Sequence, residues 1–119
     1  MNRMGKKVFV AFLRSPVGSV YYVEGLRVAA GALSGDEDHS VTVAYIGKGV
    51  RCALKGVDRS YSVKFLEFFP EEAGKRFLVE KESLLEEGID ERDLGEDFAV
   101  ASRDELRRMM LEADLCMSF

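Results

Sequence analysis

The chain has 119 residues, enough for one domain that buries a core without disulfide or metal staples. Its 47% hydrophobic and 32% charged residues exclude a disordered chain. Two cysteines, Cys52 and Cys116, and one histidine, His39, cannot make a Cys/His zinc site or a disulfide framework, so neither metal nor cofactor is expected and a reducing compartment is the natural setting.

The net charge of −4 hides an asymmetry: residues 1–66 carry a balance of +5 and residues 67–97 one of −8. The acidic middle argues against a general nucleic-acid surface, while opposite charge in different segments suits docking between copies or related subunits. The chain has no glutamine and a single asparagine, Asn2, a thermophile tendency that five methionines offset.

Residues 1–6 are expected to be a flexible tail. Lys7 to Leu13 is a continuous, β-favouring apolar run, as in a strand buried on both faces of a parallel sheet. It is too short for a signal-peptide core or a membrane span, so a cytoplasmic protein is expected. Arg14 to Ser19 breaks the run, and Val23, Leu26, Ala29, Ala30 and Leu33 then recur at helical spacing as far as Ser34-Gly35. Val41 to Ile46 reads as the second strand, closed by Gly47-Lys48-Gly49 and a short helical stretch from Val50 to Leu54. A third strand is expected over Val63 to Phe69, followed by a charged helix from Lys75 to Glu87 with Gly88 as its cap. Phe98 to Ala101 is the fourth strand. Ser102 then caps a helix from Asp104 to Ala113, with Glu105 completing a capping box. Leu115 to Phe119 is the fifth strand. Alternating strands and helices predict one domain over 1–119, three α/β/α layers around a mostly parallel five-stranded sheet.

Ligands of such sheets meet the loops at the carboxyl ends of the strands, here Arg14 to Ser19, Gly47 to Gly49, Pro70 to Gly74 and Ser102-Arg103. Arg14 and Ser15 could bind an anion there or stand in solvent. Gly47-Lys48-Gly49 lacks the spacing of a phosphate loop and fits a tight strand-to-helix turn, with Lys48 beside it. His39, among Asp36, Glu37 and Asp38, and the cluster Glu86-Glu87 with Asp90-Glu91 read as solvated polar groups. Lys81 falls among Phe77, Leu78, Leu84 and Leu85 on the expected helix, as a snorkelling lysine or an interface residue. Cys52 is the candidate thiol. A helical Val50 to Leu54 turns it away from Val50, Ala53 and Leu54, near Lys48, Arg51 and Lys55, where a thiolate is favoured; a small side chain without chemistry is the other reading. Cys116, on the last strand, reads as an inert core residue.

Several stretches together resemble the DsrE/DsrF-like superfamily, and within it the TusC/DsrF branch. They are Ser15-Pro16-Val17-Gly18 with Glu24-Gly25-Leu26, Ala44 to Val50, Glu82 to Ile89, and Asp104 to Arg108 with the closing Phe119. The resemblance implies a DsrE-like fold and a small sulfur-relay protein, serving tRNA wobble-uridine thiolation or sulfur oxidation. It also implies assembly as a homo-oligomer or with related DsrE/DsrH-type subunits, and sulfur-carrier proteins as partners; from the charge pattern and the short apolar run, neither direct nucleic-acid contact nor a membrane is expected. Active relatives carry persulfide on a cysteine that would fall close to Glu80, where this chain has Val79-Glu80-Lys81-Glu82. A non-catalytic subunit is therefore expected. The alternatives are a homo-oligomeric module binding a small anion or nucleotide, and a sulfur carrier using Cys52.

Overall fold

The computed structural model describes residues 5–15, 24, 25, 27–29, 40–57 and 77–119. Five short strands form its centre: β1 (Lys7–Phe12), β2 (Ser40–Tyr45), β3 (Phe77–Glu80), β4 (Phe98–Ala101) and β5 (Leu115–Ser118). They lie in the order β4-β3-β2-β1-β5, and every pairing is parallel. β1 is buried from Val8 to Phe12 because it has a strand on either side and a layer on both faces, which is why its sequence is uninterrupted by polar residues.

Strand order and handedness together fix the layers. A right-handed crossover that moves one way along a sheet lies on one face, and one that moves back lies on the other. The steps from β1 to β4 all run in one direction. The helical residue Ala29, Val50 and Cys52 of the Gly47–Ala53 3-10 turn, and Leu84 of helix α1 (Lys81–Glu86) accordingly share one core with Val8, Val10 and Phe12. The return from β4 past β1 to β5 carries helix α2 (Arg103–Glu112), whose Leu106 packs with Phe9, Ala11 and Ala44 on the opposite face. The result is the three-layer α/β/α fold with a five-stranded parallel sheet. On the larger core face the rings of Phe12 and Tyr45 stack at 5.2 Å, and Phe77 and Phe98 meet Tyr45 edge-on.

Among the described residues one element changes from helix to strand. Phe77 to Glu80, expected inside a helix from Lys75 to Glu87, is strand β3, and only Lys81–Glu86 is α-helical. Phe77 and Val79 face one core while Leu78 faces the other, a two-residue alternation that a helix cannot supply. The supposed helical stripe therefore dissolves: Leu85 is 72% exposed and Lys81 stands in solvent as the first residue of α1. Val63 to Phe69, Pro70 to Gly74, His39 and most of the first expected helix lie outside the described residues.

Other local expectations hold. Ser102 caps α2, its Oγ accepting the Glu105 N–H at 3.2 Å and donating to Glu105 Oε1 at 3.3 Å. Gly88 follows α1 with φ +69°, and Gly47 leaves β2 with φ +59°. Gly49 is required by proximity: a Cβ there would lie 1.9 Å from the carbonyl oxygen of Phe12. Among the described residues no helix is long and apolar enough to cross a membrane.

Candidate functional site at the ends of the second, third and fourth strands

The carboxyl end of β3 holds a charged residue inside the protein. Glu80 is only 3% exposed, because it is the last strand residue and helix α1 starts immediately after it. One turn on, Ser83 is also buried. Its Oγ donates to Glu80 Oε1 and accepts the Gly47 N–H at 2.7 Å, so the end of β2 is tied to the end of β3. From the start of α2, Arg103 donates to Glu80 Oε1 at 2.8 Å and to Glu86 Oε1 at 3.0 Å, while its backbone N–H donates to Glu82 Oε1 at 2.9 Å. Three strand ends thus converge through side chains.

The electrostatics follow from these contacts. Burial pushes the Glu80 carboxyl up, but hydrogen bonds from Arg103 and Ser83 and the charges of Arg103 and Arg107 outweigh it and hold Glu80 below its ordinary value. Hydrogen bonds to Glu80 and Glu86 in turn raise Arg103 and keep it protonated. Glu80 is therefore an ionised, buried carboxylate whose charge is answered by a guanidinium.

A cavity of about 310 Å³ opens beside this network. Glu80, Ser83, Glu86, Arg103 and Arg107 give it polar groups, and Ile46, Leu106 and Met110 give it an apolar wall. Among the described residues, two of the four strand-end loops expected to matter contribute, through Gly47 and Arg103. Arg14, Ser15, Lys48 and Lys81 do not line it. Arg14 and Lys48 are exposed and Ser15 is half-buried.

Cys52 needs a correction. The 3-10 geometry repeats every three residues, so Cys52 stands in line with Gly49 rather than on an outward row. Gly49 abuts the Phe12 backbone, and Cys52 is likewise fully buried, with Sγ 3.7 Å from the Arg14 carbonyl oxygen. Exposure falls instead to Lys48 and Arg51, and Arg51 pairs with Glu87 at the end of α1 at 2.8 Å. Cys116 is corrected the other way. β5 is an edge strand, and Cys116 is exposed, its Sγ 3.5 Å from the Met110 carbonyl oxygen. Neither thiol lines the cavity. No cluster of three or more His, Cys, Asp or Glu able to hold a metal occurs among the described residues.

The model of the DsrE/DsrF-like family matches residues 6–119. The chain belongs to the DsrE/DsrF-like family. Among solved structures, the ychN protein from E. coli is similar over 98% of this chain and 100% of its own, at 22% identity and a TM-score of 0.76. A protein of unknown function, MTH1491 from Methanobacterium thermoautotrophicum, is similar over 97% of this chain and 99% of its own, at 21% identity and a TM-score of 0.61. These two likenesses concern the fold. No curated protein matches the chain. The residues that reasoning from sequence passed over are Ser83 and Arg107, ordinary helix residues until a topology brings the ends of β3 and β4 together.

Proposed function

We propose that this DsrE/DsrF-like protein is a non-catalytic subunit of a sulfur-relay assembly, of the TusC/DsrF type. The observation that supports the reading is Glu80. Active relatives need a nucleophilic thiol near this position, and here a carboxylate fills it, locked by Ser83 and Arg103. A carboxylate cannot take up sulfane sulfur as a persulfide, which requires a thiolate. The chain's two thiols stand elsewhere, one enclosed in the core and one at a sheet edge. A role for Cys52 as carrier is not supported by its burial.

The subunit's contribution is then structural: it completes an oligomer in which thiol chemistry belongs to related chains. Co-purification from the native host should bring down DsrE- or DsrH-type subunits or a sulfur-carrier protein, and light scattering of the isolated chain should give an oligomer. A single 13.3 kDa species at micromolar concentration, with no related chain co-purifying, would remove the assembly reading.

A further inference from the structure

Glu80 accepts two hydrogen bonds, from Ser83 and from Arg103, and both go to Oε1. Its Oε2 makes no hydrogen bond among the described residues, although Glu80 is 97% enclosed and lines the cavity. Because Glu80 lines the cavity, that second carboxylate oxygen can accept from a bound donor. At the same cavity the charge of Arg107 acts on Glu80, but its guanidinium makes no hydrogen bond or close ion pair among the described residues, so its donor fork is open to an anionic group.

Among the described residues the charges of the lining balance, with Glu80 and Glu86 against Arg103 and Arg107. A purely anionic ligand would face two carboxylates, and a purely cationic one would face two guanidinium groups. A molecule with separated charges and no net charge meets both needs: a protonated amine reaches Glu80 Oε2 and a carboxylate reaches Arg107. Ile46, Leu106 and Met110 add an apolar surface for a short hydrocarbon body. We infer that this cavity is a binding site for a small zwitterionic metabolite of the α-amino acid class, with Glu80 as ammonium acceptor and Arg107 as carboxylate donor. The site is independent of the sulfur-relay reading, because it uses no thiol and no partner chain.

The test is titration calorimetry of the full chain against the standard L-α-amino acids. L-leucine is run beside its two single-charge analogues, 3-methylbutylamine and 4-methylpentanoate. At least one amino acid with an apolar side chain should bind at concentrations below about 10 mM, and its counterpart lacking either charge should bind at least about tenfold more weakly. Arg107→Gln should cost about tenfold or more in affinity, whereas Arg108→Gln, an exposed neighbour outside the lining, should leave it unchanged. Because Arg107 is exposed, its variant should fold, which circular dichroism checks. No binding by any amino acid, equal binding of a single-charge analogue, or equal losses in the two arginine variants overturns the inference. A missing partner subunit would leave these titrations untouched.

Discussion

Replacing Arg103 with methionine keeps most of the side-chain stem and removes the guanidinium from Glu80. Removing one partner of a fully buried ion pair costs about 3–5 kcal/mol, because the other charge stays behind unanswered. Arg103 is 37% exposed, however, so water reaches this pair and screens it. The expected loss is therefore about 2 kcal/mol at pH 7, or roughly 8 °C in Tm for a domain of this size. The pH dependence supplies the sharper check. In the native protein Glu80 lies below its ordinary 4.5, so its contribution to stability is present above that value and fades as pH falls through the lower folded one. In Arg103→Met the effect of burial loses its main opponent and the carboxyl moves up. Acidification then relieves the variant by protonating the buried group, and the gap to the native protein should narrow as pH falls through the variant's raised value towards the lowered native one. Adding Glu80→Gln to Arg103→Met should recover part of the loss at pH 7. Urea unfolding at fixed protein concentration, over a series of pH values, reads all of these. A gap under about 0.5 kcal/mol at pH 7, or one that does not shrink in acid, would refute the assignment of Glu80 as a charge held by Arg103.

The cysteines should separate cleanly: iodoacetamide modifies Cys116 in the folded protein and reaches Cys52 only on unfolding, because Cys52 is 0% exposed. Peptide mass spectrometry showing equal labelling, or sulfur added to Cys52 by a persulfide donor under native conditions, would restore the carrier reading. Gly49→Ala should destabilise by about 3 kcal/mol, since its methyl group would overlap the Phe12 carbonyl oxygen and only backbone movement can relieve that. A denaturation midpoint like that of the native protein would mean that the β1–β2 end is softer than its packing implies.

The alternation of apolar strands with helical spacing was enough to fix the layered α/β class, and the order of short motifs was enough to point to the family. Local chemistry was also legible: the Ser102 cap and the glycine turn after β2 depend on near neighbours and stand where their residue types put them. β3 was harder to read. Phe77-Leu78-Val79 is three apolar residues long and runs into a charged helix, so its strand character comes from having β2 and β4 as parallel neighbours. That one shift removed Lys81 from an apolar stripe and placed Glu80 at a buried strand end. Cys52 turned on the difference between three and 3.6 residues per turn, which a seven-residue stretch does not announce. The cavity belongs wholly to tertiary structure. Gly47, Glu80 and Arg103 are far apart along the chain, and they meet because parallel strands deliver all their carboxyl ends to the same edge of the sheet.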